Sequence, residues 1–149
     1  MAIFLGTWVM LFAALLLAYA VVRAQAPAWP PDGLPRLPRA LPGLATLVLI
    51  ASSTLLRARR VGGAALLGGV FVGLQALLWR AALMAGLLPA TGAYASVFYA
   101  LTIFHALHVA VGMILLVVLR GGTGGRLAAL FWDFVSIAWV VIYGAVFWL

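Results

Sequence analysis

The sequence predicts an all-α integral membrane bundle of five transmembrane helices, and three observations carry that expectation. Hydrophobic residues make up 68% of the chain, charged residues only 7%, and the mean hydropathy is +1.26. A soluble domain of 149 residues needs far more polar surface to stay dispersed, so lipid is the solvent this composition suits. The apolar runs are long and continuous rather than alternating. That selects helices over a closed barrel, the other structure whose backbone is satisfied inside a bilayer. One domain, 1–149, is the natural count at this length.

Helix 1 is expected over about residues 2–23. No basic stretch precedes its apolar run, so it reads as a retained helix rather than a cleaved secretory signal. A proline-rich loop, 24–42, follows and holds six of the seven prolines. Proline removes backbone donors and fixes φ, which predicts an ordered, extended surface crossing. Helix 2, about 41–57, is short, and Arg57, Arg59 and Arg60 can snorkel from its end to the interface. Helix 3, about 61–87, carries Gly69 and Gly73 four residues apart, a spacing that lets another helix backbone approach closely. The loop Pro89-Ala90-Thr91-Gly92 leads to helix 4, about 93–120. Gly121, Gly122, Gly124 and Gly125 make a tight connection to helix 5, about 126–149.

Charge supports the same picture. All nine basic residues are arginine, against two acids, Asp32 and Asp133, for a net +7. The arginines fall between apolar runs, so headgroups and orientation explain them better than nucleic acid does. Arg57, Arg59, Arg60, Arg120 and Arg126 share one side of the membrane. Arg23, Arg36, Arg39 and Arg80, with Asp32, share the other. The tighter cluster in short loops places the N-terminus inside and the C-terminus outside. The chain has no cysteine, which removes disulfides, thiolate metal sites and thiol chemistry together.

Polar groups are costly in hydrocarbon, so each is a functional candidate. His105 and His108 lie three residues apart on helix 4, about 300° of rotation, and project from one stripe. A stable metal site needs further ligands, and none stands at ligand spacing; single-imidazole haem ligation is the sharper alternative. The simpler reading is a hydrogen-bonded histidine pair that fixes packing or meets lipid or a neighbouring subunit. Asp133 is expected ~10 Å below the end of helix 5, too shallow to bond His108 and better matched to Arg126, Arg120 or another subunit. Gln75, with Trp79 and Arg80 after it, adds one amide to helix 3. Ser52, Ser53 and Thr54 can bond back to their own helix or across to another. One acid, two neighbouring histidines and one glutamine cannot make a path across ~30 Å, which speaks against a pump or ion-coupled carrier. No inverted repeat is visible.

Several strings then coincide with one family. The run Tyr94-Ala95-Ser96-Val97-Phe98-Tyr99-Ala100-Leu101-Thr102-Ile103-Phe104-His105-Ala106-Leu107-His108-Val109, with Gly112 after it, resembles the signature of subunit III of haem–copper oxidases. Leu44-Ala45-Thr46 with Ser52-Ser53-Thr54, Gln75 with Trp79, and Trp132, Phe134, Val135 and Trp139 resemble further stretches of that family in the same order. So do Met10, Phe12, Ala13, Ala14, Tyr19, Arg23 and Trp29-Pro30-Pro31 near the start. Where the family carries carboxylates this chain has Trp8, Leu78 and Ser136, and Asp133 stands at a family histidine. The resemblance therefore implies packing and lipid-binding roles rather than proton gathering.

The five-helix bacterial form is the one whose length fits. The resemblance implies a non-catalytic subunit of a respiratory terminal oxidase, in the bacterial inner membrane, with no catalytic, cofactor-binding or metal residues of its own. It would pack on catalytic subunit I and on subunit II, which would carry haem and copper. It would hold phospholipid in a cleft between helices 1–2 and helices 3–5. Structural, lipid or subunit contacts then fall to His105, His108, Gln75, Trp79, Trp132, Asp133, Gly69, Gly73, Arg57, Arg59 and Arg60. The alternatives are an accessory protein of a nitric oxide reductase and, from another class, a small transporter or haem-binding membrane protein.

Overall fold

Backbone groups facing hydrocarbon have to be satisfied within their own segment, and the chain meets that demand with long helices. The computed structural model describes residues 2–31, 33–35, 37–119 and 121–148. Asp32, Arg36 and Arg120, which entered the charge argument, lie outside the described residues. The helices are α1 (Ala2–Gln25), α2 (Ala40–Arg57), α3 (Val61–Met84), α4 (Ala93–Val118) and α5 (Gly122–Tyr143). A short 3-10 turn, Pro89–Thr91, precedes α4, and a π-helical turn, Gly144–Trp148, prolongs α5. All five are long and apolar enough to cross a membrane.

The end of α3 and the start of α5 differ from the sequence expectation, each for a local reason, while α2 ends where expected. Helix α3 stops at Met84 because Gly86 takes φ +86° and turns the chain. The Gly86 amide then donates to the Leu83 carbonyl and the Leu87 amide to that of Ala82. This is the paired closure of a glycine-terminated helix, with Leu87 fully buried beneath it. The same closure ends α2, but Arg59 holds the left-handed position at φ 60°. Its amide reaches the Leu56 carbonyl and that of Arg60 the Leu55 carbonyl. Helix α5 starts at Gly122, four residues before the expected point, with the Gly125 amide donating to the Gly121 carbonyl. Helical hydrogen bonding here overrides the cost of glycine, ~1 kcal/mol per residue.

Helices α2, α3, α4 and α5 pack in sequence, and α5 returns to α2, closing a four-helix ring. Helix α1 leans on α4 and touches α5 more lightly. This corrects the expected grouping, in which helices 1 and 2 formed one unit. The corner Ala58–Arg60 is too short to let α2 leave α3, while the long proline-rich loop frees α1 to pack elsewhere. That loop is pinned by aromatic edges: Trp29 meets Tyr19 at 5.4 Å and Tyr94 at 4.9 Å between ring centroids. Helix α4 sits between α1, α3 and α5, and its contact stripes hold Tyr94, Phe98, Thr102, His105, Val109 and Leu116, all buried.

Candidate functional site

Two polar constellations stand out in this apolar bundle, one sealed inside it and one open between α2 and α5. The inner one is built on α4. His105 is fully buried, with Trp139 at 5.1 Å, Phe71 at 5.5 Å and Phe12 at 6.1 Å between ring centroids. His108 lies against Trp8 at 4.2 Å and Phe12 at 5.0 Å. Its Nδ1 donates to the Phe104 carbonyl one turn back. A carbonyl only accepts, so Nδ1 carries a proton.

The two histidines do not bond each other. Neither nitrogen of His105, nor either polar atom of Gln75, nor Trp132 Nε1, finds a hydrogen-bond partner among the described residues. Gln75 is also buried, one turn from Phe71 and one from Trp79 on the same stripe of α3. Trp79 Nε1 donates to Thr102 Oγ1 at 3.0 Å, joining α3 to α4. Aromatic rings thus enclose His105 on α1, α3 and α5. No haem plane can reach its nitrogens without displacing Phe12, Phe71 or Trp139. Among the described residues no three His, Cys, Asp or Glu side chains could hold a metal ion together. His105, His108, Gln75 and Trp132 are all buried within this chain.

The outer constellation corrects the expected partner of Asp133. Arg57 Nη2 lies 3.8 Å from Asp133 Oδ1, the one ion pair among the described residues. The acid stands eleven residues past the start of α5, deeper along its helix than expected, and Arg57 ends the short α2, so the two levels meet. Further along the same seam Ser53 and Ser136 share a hydrogen bond of 2.9 Å, and Trp139 Nε1 donates to Thr46 Oγ1 at 2.9 Å. Ser52 donates to the Ala64 carbonyl of α3, while Thr54 bonds back to its own helix. Sequence reasoning missed the Thr46–Trp139 and Arg57–Asp133 pairs. Thr46, Ser53 and Arg57 fall on one stripe of α2 and Asp133, Ser136 and Val140 on one stripe of α5, a signal legible only once the two helices are known to be neighbours.

Gly69 and Gly73 are exposed, and a Cβ on either would meet nothing within 4 Å. At the opposite end of the bundle from Arg57, a groove of about 530 Å³ lies between α1 and α5, lined by Leu16, Tyr19, Ala20, Arg23, Val141 and Ala145. The Arg23 guanidinium lies 5.9 Å from the Trp29 ring.

These features define a multi-pass integral membrane protein of five apolar helices. No family model matches the chain. It is 33% identical to cytochrome c oxidase subunit 3 of Synechocystis sp., an alignment covering 89% of this chain and 67% of that one. It is 29% identical to the subunit 3 of Thermostichus vulcanus over 95% and 81% of the two chains. A probable cytochrome c oxidase subunit 3 of Mycobacterium tuberculosis is 32% identical over 99% and 85%. The chain belongs to the cytochrome c oxidase subunit 3 family.

Proposed function

We propose that this chain is the non-catalytic subunit III of a respiratory haem–copper terminal oxidase of the cytochrome c oxidase type, working in a bacterial inner membrane. The observation that carries this reading is the run of similarity to proteins named as that subunit over nearly the whole chain. Haem and copper then belong to subunits I and II. The packing supports that division, because the intramembrane histidines are spent on aromatic contacts inside the bundle. The open Gly69–Gly73 face suits close approach by another helix. The groove between α1 and α5 suits an acyl chain, with Arg23 at its end for a phosphate. It takes the place of the cleft expected between helices 1–2 and 3–5.

Affinity purification of the tagged chain from its native membrane in mild detergent tests the reading. The expected preparation contains haem- and copper-bearing oxidase subunits, identified by mass spectrometry, together with retained phospholipid. Stripped from them, the chain shows no Soret band. A Soret band that stays with the isolated chain would overturn the assignment, as would co-purification with nitric oxide reductase alone.

A further inference from the structure

The seam between α2 and α5 opens sideways as a groove of about 300 Å³. Its floor is chemically closed. Ser53 donates to Ser136, Ser136 donates to the Trp132 carbonyl, and Thr46 accepts from Trp139 while donating to the Pro42 carbonyl. At one end the ion pair is left incomplete. The 3.8 Å separation of Arg57 and Asp133 exceeds hydrogen-bond distance, and their side chains are 77% and 39% exposed. Ile50 and Ile137 flank the groove and are themselves 49% and 65% exposed.

A carboxylate eleven residues into a membrane-spanning helix cannot be left facing acyl chains without a large cost, since hydrocarbon offers it no donor. The phosphate of an anionic phospholipid would serve Arg57 but would set a second negative charge beside Asp133. A helix can do both, presenting a donor to Asp133 and an acceptor to Arg57 while its apolar side chains pack around Ile50 and Ile137. We infer that the α2–α5 groove is the docking seam for a transmembrane helix of the redox-bearing subunit, with the Arg57–Asp133 pair completed by polar side chains of that helix. This rests on the subunit reading above and adds the face through which the chain docks.

A photo-reactive benzophenone residue placed singly at position 50, 137 or 107 in the assembled complex tests the seam; Leu107, on α4, is comparably exposed. Irradiation is expected to link positions 50 and 137, and not 107, to the haem-bearing subunit. Adducts with lipid alone at 50 and 137, links to a second copy of this chain, or subunit links only from 107 would each overturn the inference. As a second measurement, Asp133→Asn and Arg57→Gln are each expected to lower recovery of assembled complex about tenfold, equivalent to ~1.4 kcal/mol, with helix content retained. Undiminished recovery in both variants would count equally against it. A wild-type chain that purifies without any redox subunit would instead sink the subunit reading itself, so the two failures are distinguishable.

Discussion

At Gly68 there is no room for another carbon. An added Cβ would stand 2.6 Å from Trp132 Cη2 and 2.9 Å from both Cγ and Sδ of Met113. Met113 can yield, but Trp132 is fully buried and also fills the space over Gly112. Gly68→Ala is therefore expected to destabilise the bundle by ~1–3 kcal/mol, the usual cost of overpacking. Gly69→Ala, one residue on and facing open space, should leave the thermal midpoint in detergent unchanged or slightly raised. Equal losses in the two variants would show that helical glycine as such, not the Trp132 contact, matters here. Arg59 offers the opposite case. Its φ of 60° costs an L-residue roughly 1 kcal/mol that glycine avoids, so Arg59→Gly should raise the midpoint of thermal unfolding followed by circular dichroism. A fall would mean that the guanidinium contributes more than the backbone costs.

Between elements, a few polar contacts do what apolar attraction cannot, because lipid is as apolar as the helix faces it would have to leave. Trp79–Thr102 ties α3 to α4, Ser52 ties α2 to α3, and Ser53–Ser136 with Thr46–Trp139 ties α2 to α5. A double-mutant cycle on Thr46→Val and Trp139→Phe isolates the last of these. Its coupling energy should be ~0.6 kcal/mol and no more than ~1.7, the range for interhelical hydrogen bonds in membranes. A coupling of zero would mean that α2 and α5 are held by shape alone. The sequence reading set helix 2 with helix 1, yet a corner as short as Ala58–Arg60 leaves α2 no neighbour but α3. The placement of α1 was not legible either: a loop of this length permits several neighbours, and the edge contacts of Trp29 with Tyr19 and Tyr94 select one.

For the molecule as a whole, direction across the membrane follows from where arginine gathers. Arg57, Arg59, Arg60 and Arg126 lie near one end of the bundle, Arg23 and Arg39 near the other. Retention of the denser cluster on the cytoplasmic side predicts an outward C-terminus. Fusions at that end should give active periplasmic alkaline phosphatase and dark green fluorescent protein in a bacterial host. The reverse pattern would invert the topology and place Arg57 and Asp133 in the outer half of the bilayer.

Composition and run length were enough to determine that this is a membrane protein of five helices, because a backbone in hydrocarbon has few ways to satisfy itself. The motif strings, read in order, were enough to suggest the family. The neighbours of each polar group were another matter. The side chains of Asp133 and Arg57 meet across a gap of seventy-six positions, and His105 is sealed by rings from three other helices. Only the tertiary structure decided those pairings, since helix periodicity places a side chain on a face but says nothing about which helix that face will meet.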